Sequence, residues 1–265
     1  MPQKNSQKPA VSRRGHSLQL TALRGLPGIR QGVNLARLIV AAARGQRFAF
    51  EDGDVLVVAQ KIVSKAEGRV ARLSRIRPSA EARGLSTELH QDARFLEAVL
   101  RETRRIVRKG PQALIVETHH GFVCANAGVD RSNVPGKGGV TLLPRKPDES
   151  ARRLAAGLRS RTGKRIAVII SDTFGRAWRL GQVNVAIGAA GLPVLVDLRG
   201  SRDLFGKRLH ATILALADEL AAAAGLLMGK ADGLPVVVVR GLRYRAPRKS
   251  KAADIIRPAS EDLFR

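Results

Sequence analysis

The sequence predicts an α/β protein built on a mixed or mostly parallel sheet. Short aliphatic runs ("VLVVA", "ALIVE", "IAVII", "PVLVDL", "PVVVVR") recur between polar and glycine-rich segments, as strands covered on both faces do. Segments with helical spacing of apolar residues fall between them, the alternation from which α/β architectures are built. Each aliphatic run ends in a polar stretch, and in such sheets ligands gather where strands end in loops.

In chain order, a first strand is expected within "HSLQLTALRG" at residues 16–25, running into the loop "LPGIRQG". A helix over 34–44 follows, with Asn34 as its cap and Gly45 as its stop. A buried strand is expected over 54–62. Between 86 and 109, Leu89, Phe95, Leu96, Val99, Leu100, Ile106 and Val107 recur at helical spacing and predict a helix that Gly110 and Pro111 end. A strand over 113–116 leads into "ETHHGFVCANAGVDRSNVPGKGG", a long polar stretch of the kind that carries function more often than not. Asp148 suits the cap of a helix over 150–161, with Gly163 and Lys164 at its end. Then come a strand over 165–171, the strand in "PVLVDLRG", a helix over about 208–227 and a last strand over 235–240. Basic tails at 1–17 and 246–265 flank a folded part at 18–245.

An apolar fraction of 44% over 265 residues can fill a sizeable core. A single cysteine, Cys124, excludes an internal disulfide framework and a cysteine-cluster metal site, and it reads as a small buried apolar residue. The amino end lacks the apolar core of a signal peptide, and no run approaches the ~20 apolar residues of a membrane span. A cytoplasmic protein without a membrane partner is therefore expected. The formal charge of +25, from 47 Lys and Arg against 22 Asp and Glu, raises a nucleic-acid reading. No zinc finger, RNA-binding signature or aromatic stacking platform accompanies it, so no nucleic-acid partner is expected. A positive field of this size also attracts anionic small molecules such as nucleotides.

Nucleotide signatures of the common kinds are absent. "GLRSRTGK" has the wrong spacing for a P-loop and precedes a strand, and no G-x-G-x-x-G follows one. "PGKGG" at 135–139 is flexible enough to approach phosphate, but serves equally as a turn. Two carboxylates stand out: Asp130 in "ANAGVDRSN", and Asp172 with Thr173 beside it in "SDTFGR". Mg²⁺ and Mn²⁺ take oxygen ligands, commonly one or two carboxylates plus substrate phosphates. Arg131, Arg176 and Arg179 could neutralise phosphate and Asn133 could bond a base or ribose; equally, the acids could be turn residues and the arginines their surface partners. His119 and His120 are adjacent on an extended stretch and point apart, which makes them poor co-ligands. Gln60, Lys61 and Lys65 lie at the end of a strand, and the loop "MGKADGLP" at 228–235 joins a helix to a strand.

Taken in order, "LPGI", "QKIVSKAEGR", "ANAGVDRSN", "SDTFGRAWRLGQVNVAIG", "DLRG" and "MGKADGLPVVVVRG" resemble the GTP-dependent coenzyme F-420:L-glutamate ligase family, over roughly residues 18–244. The resemblance implies a two-lobed fold particular to that family, neither P-loop nor Rossmann, and a stand-alone ligase domain over 18–245 without the reductase domain found in some relatives. It implies addition of L-glutamate to the carboxylate of a deazaflavin precursor through an acyl phosphate, with GTP converted to GDP and phosphate. It implies Asp130, Asp172 and Thr173 as ligands of Mg²⁺ or Mn²⁺, with K⁺ as an assisting ion, and a homodimer. It implies GTP contacts from Leu26, Pro27, Gly28, Ile29, Gln60, Lys61, Lys65 and Asn133, and from Met228, Gly229, Lys230, Ala231, Asp232, Gly233, Leu234 and Pro235. Lys230 stands where many relatives carry a metal-binding Gln; an ammonium cannot ligate a cation, so either the metal has one ligand fewer or Lys230 binds phosphate. No catalytic residue is singled out, with Glu67 or solvent left to take the amine proton. Two other readings remain: a related ligase acting on another carboxylate, and a basic nucleic-acid-binding protein.

Overall fold

The computed structural model describes residues 11–12, 17–111, 113–134, 136–247 and 249–262. Most of the expected N-terminal tail and Pro135 of "PGKGG" lie outside the described residues. Six α-helices are present among the described residues: α1 (Leu35–Gly45), α2 (Gln60–Ala66), α3 (Ala80–Leu89), α4 (Ala93–Arg101), α5 (Pro147–Thr162) and α6 (Leu216–Met228).

A five-stranded sheet organises the larger lobe, in the order Arg179–Ala190, Ala167–Arg176, Val55–Ala59, Val236–Arg240, Gln19–Ala22. Only Val55–Ala59 and Ala167–Arg176 run parallel; the other pairs are antiparallel. The sheet is thus mixed, and mainly antiparallel. Both of its faces are covered, which makes the strands read as continuous aliphatic runs whatever their direction. Leu56, Val58, Val168, Ile170 and Val238 pack against Ile39 and Val40 of α1 and Leu154 and Leu158 of α5. Val55, Val57, Ala167, Ile169 and Val239 pack on the other face against Leu220, Ala221 and Ala224 of α6. Gly188 lets α5 reach the sheet, since a Cβ there would fall 2.5 Å from the Pro147 carbonyl oxygen.

The smaller lobe has its own core of Leu85, Phe95, Leu96, Val99, Leu114, Val116 and Val140. It joins α3 and α4 to a three-stranded sheet, Thr103–Lys109, Leu114–Thr118 and Val123–Ala125.

Several boundaries depart from the sequence reading. The strand expected over 54–62 stops at Ala59, and Gln60–Ala66 is helical. The helix expected within 86–109 is two helices and a strand: His90 adopts a left-handed conformation (φ 52°), Asp92 caps α4, and Thr103–Lys109 pairs with Leu114–Thr118. Ile106 and Val107 are β-branched, and tertiary pairing outweighs their helical spacing. The helix expected from 208 begins at Leu216. Asp148 does not cap α5; its Oδ1 accepts from the backbone N–H groups of Ala189 and Ala252, each at 2.8 Å. That second bond belongs to another difference. The C-terminal segment is not a solvated tail throughout: Ala252 is fully buried, and Ser250 Oγ accepts from Val194 N at 3.1 Å. Asn34 and Gly163 bound α1 and α5 as their residue types dictate, Asn34 Oδ1 accepting from Arg37 N and Gly163 turning at φ 71°. Among the described residues no helix is long and apolar enough to cross a membrane.

Candidate functional site

The parallel pair of strands ends at Ala59 and Ser171, and the chain leaves that edge in two ways. After Ala59 it coils into α2, which carries Gln60, Lys61 and Lys65 along the cleft edge. After Ser171 the strand continues through Asp172 and Thr173 to Arg176, turns at Trp178 (φ 58°) and returns as Arg179–Ala190. The segment read from sequence as a strand ending in a polar loop is therefore a long hairpin, with Asp172 inside a strand.

A cleft of about 840 Å³ opens at this edge. Leu26, Pro27, Gly28, Ile29, Gln60, Lys61, Lys65, Asn133, Asp172 and Thr173 line it, together with Met228, Gly229, Lys230, Ala231, Gly233, Leu234 and Pro235. Asp232 does not line the cleft. Its carboxylate folds back on the loop toward Gly229, whose φ of 55° is a backbone conformation that favours glycine. Asp130 also lies off the lining, one layer back: its Oδ2 pairs with Lys61 Nζ at 2.7 Å and its Oδ1 accepts from Ser132 N at 2.6 Å.

Cations and carboxylates interlock here. Lys61 also donates to Ser132 Oγ, and Lys65 Nζ donates to the Asn133 carbonyl at 2.6 Å. Asn133, itself at φ 55°, donates from Nδ2 to the Lys230 carbonyl at 3.2 Å and so joins the 130–133 loop to the 228–235 loop. Burial lowers the Lys65 pKa, and the neighbouring Lys61 charge lowers it further. Burial pushes Asp130 up, but the Lys61 ammonium and the Ser132 bonds outweigh it and hold the carboxyl below its usual range. Asp172 goes the other way, to about 6: burial raises it and the Asp130 charge adds to that, against the Thr173 N–H and Lys61. Gln60 lowers it too, although the buried Gln60 Nε2 lies outside hydrogen-bonding geometry with any group.

A divalent cation fits this donor set in chemistry. Two carboxylates and a hydroxyl are hard oxygen donors, and a cation between them would offset the repulsion that raises Asp172. The set is incomplete by itself: among the described residues no group of three or more His, Cys, Asp or Glu could hold a metal. The remaining ligands would have to come from phosphate or water, the usual arrangement for Mg²⁺.

Other candidates lie elsewhere. Arg131 stacks on Phe95 at 4.0 Å in the smaller lobe. Arg176 donates to the Leu180 carbonyl at 2.7 Å within the exposed hairpin, which Arg179 shares. None of the three lines the cleft. Glu67 is held by Ser150 Oγ (2.5 Å) and Arg153 Nη2 (2.7 Å), also off the lining. His119 and His120 contact the Arg101 and Pro144 carbonyls respectively.

Cys124 is buried, and its thiol is pushed up to about 12 by burial and by the Asp172 charge. It stays protonated at any ordinary pH. Iodoacetamide at pH 8 is expected to leave the native protein unlabelled and to label Cys124 once denatured, as mass spectrometry would read; rapid native labelling would contradict this burial.

Sequence reasoning missed Gln182, Val183, Asn184, Ala222 and Gly225, which also line the cleft. Hairpin pairing sets Asn184 opposite Thr173 and Val183 opposite Phe174. A hairpin reading of "SDTFGRAWRLGQVNV" would have found the first three; nothing local marks the small residues of α6.

Comparison with known proteins gives the family. The family model described as F420-0:Gamma-glutamyl ligase matches residues 25–241. The chain is 50% identical to the coenzyme F420:L-glutamate ligase of Methanopyrus kandleri, over 89% of this chain and 93% of that protein. For proteins of the same name from Methanothermobacter thermautotrophicus and Methanocaldococcus jannaschii the identities are 45% and 44%, over 94% and 88% of this chain and 99% and 90% of theirs. The matched region includes every residue that lines the cleft, and the chain belongs to the F420-0:gamma-glutamyl ligase family.

Proposed function

We propose that the chain is a GTP-dependent ligase that adds L-glutamate to the carboxylate of the deazaflavin coenzyme F-420-0, and that it acts in coenzyme F-420 biosynthesis. The observation that carries the proposal is the meeting of Lys61, Lys65 and Asp172 at one cleft, with Asp130 paired to Lys61 behind it, in a chain of this family. Two ammonium groups suit a triphosphate, and paired carboxylates suit the cation that accompanies one.

A carboxylate does not accept an amine directly, so activation must come first. In the proposed route the substrate carboxylate oxygen attacks the γ-phosphorus, GDP leaves, and an acyl phosphate results. The glutamate amine then attacks the acyl carbon, phosphate departs, and the amine proton passes to solvent. Mg²⁺ or Mn²⁺, held by Asp130, Asp172 and Thr173 and assisted by K⁺, would supply charge neutralisation on the phosphates. Lys61 and Lys65 would exchange their present partners, Asp130, Ser132 and the Asn133 carbonyl, for phosphate oxygens. Lys230, exposed on the 228–235 loop, would add a third cation for phosphate. The loops at 26–29 and 228–235 would enclose the nucleoside.

A homodimer is part of this reading. At the hairpin turn Leu180 is 97% exposed and Trp178 80%, where a second copy would cover both; sedimentation equilibrium would read the mass directly, and a dimer mass is expected.

The test is incubation with GTP, Mn²⁺, L-glutamate and F-420-0, followed by mass spectrometry. Glutamylated product with stoichiometric GDP is expected. No product, with GTP consumed only when another carboxylic acid is supplied, would transfer the proposal to a related ligase on that acid.

A further inference from the structure

Thr173 and Asn184 face each other across the hairpin, and together they decide what the Thr173 hydroxyl can offer the cleft. Thr173 Oγ1 donates to Asn184 Oδ1 at 3.0 Å. Asn184 Nδ2 in turn points at Met228 Sδ, 3.6 Å away. A thioether sulfur accepts and never donates, so the amide orientation is fixed: NH₂ toward Met228, carbonyl toward Thr173. Gly225 packs closely against this pair, since a Cβ there would lie 3.0 Å from Asn184 Nδ2 and 3.1 Å from its Cγ. All four residues line the cleft.

The consequence is chemical. A hydroxyl has one proton and two lone pairs. With its proton committed to Asn184, Thr173 has only lone pairs left, and these suit a cation and repel a phosphate oxygen.

We propose that Asn184 is a positioning residue that holds Thr173 as an oxygen donor toward a divalent cation and bars it from donating to phosphate, with Met228 setting the orientation of the Asn184 amide. This rests on the reading of the cleft as a nucleotide–metal site.

The test is Mn²⁺ affinity, followed by EPR in the full chain saturated with a non-hydrolysable guanosine triphosphate analogue. Asn184→Ala is expected to weaken Mn²⁺ binding about five-fold, the usual scale for one net hydrogen bond. Thr173→Val should weaken it at least as much, and the double variant no more than Thr173→Val alone, because Asn184 acts through Thr173. Met228→Leu keeps the packing, removes the acceptor, and is expected to weaken binding about two-fold; it serves if Asn184→Ala fails to fold. Wild-type Mn²⁺ affinity in Asn184→Ala, or in Met228→Leu where that variant serves, or losses that multiply in the double variant, would overturn the inference alone. Absence of Mn²⁺ binding to the wild-type chain, or unchanged binding in Thr173→Val, would overturn the metal reading with it.

Discussion

Asp172→Asn is expected to lower glutamate ligation on the order of a thousand-fold while leaving the fold intact. The side chain keeps its shape, so packing at the end of the strand is preserved. Its charge is lost, and with it one of the two carboxylates that could hold a cation against the triphosphate. Cation stabilisation of phosphoryl transfer contributes several kcal/mol, and each ~1.4 kcal/mol is a factor of ten in rate. Loss of the charge also removes the repulsion with Asp130, so the thermal midpoint is expected to stay the same or rise. The measurement is initial rate with Mn²⁺ and GTP, beside a melting curve; a fully active variant would end the metal role of Asp172. A related expectation concerns pH. In the free protein the Asp172 carboxyl titrates at about 6, so below that pH a proton competes with the cation. Divalent-cation affinity should therefore weaken as pH falls through 6.

Arg240→Met is expected to cost about 3–5 kcal/mol of stability, the scale for breaking a buried ion pair from one side. Asp54 is 1% exposed and receives two bonds from Arg240, Nε to Oδ1 and Nη2 to Oδ2, both at 2.8 Å. Arg240 also reaches Glu51 Oε1 at 2.6 Å and the Ala49 carbonyl at 2.7 Å, and lies over the Phe48 ring at 4.8 Å. Removing the guanidinium leaves the Asp54 carboxyl buried and without its counter-ion, a large loss for a fold stabilised by about 5–15 kcal/mol. Urea unfolding would measure it. A double variant, Arg240→Met with Asp54→Leu, should recover part of the loss, since replacing both partners of a buried pair by apolar groups is often close to neutral. Recovery is incomplete because Asp54 Oδ2 also accepts from Glu51 N at 2.8 Å. A single variant as stable as the wild type would show that the pair contributes little.

Much of the main sheet was legible, because its strands are short, apolar on both faces and bounded by polar residues. The cap at Asn34 and the stop at Gly163 were legible too, because they depend on single residue types. The smaller lobe was less so. Ile106 and Val107 continue the apolar spacing of Phe95 and Val99, and nothing in the segment itself announces that Thr103 begins a strand; pairing with Leu114–Thr118 decides it. For the site, the family resemblance named residues most of which line one cleft, while Asp130 and Asp232 do not. What it could not supply was exclusion. Arg131, Arg176, Arg179 and Glu67 stand close in sequence to cleft residues but face Phe95, the hairpin and Arg153.

By itself the sequence determined the class of the fold, the apolar strands, the chemical types available for a site and the family. Those follow from local pattern and residue identity, which need no knowledge of distant partners. The tertiary structure decided the direction of the strands, the helix at Gln60–Ala66, the Lys61–Asp130 pair and the orientation of Asn184 between Thr173 and Met228. Each of these joins groups that are separate in the chain, and the energy that selects them comes from burial and pairing across that separation.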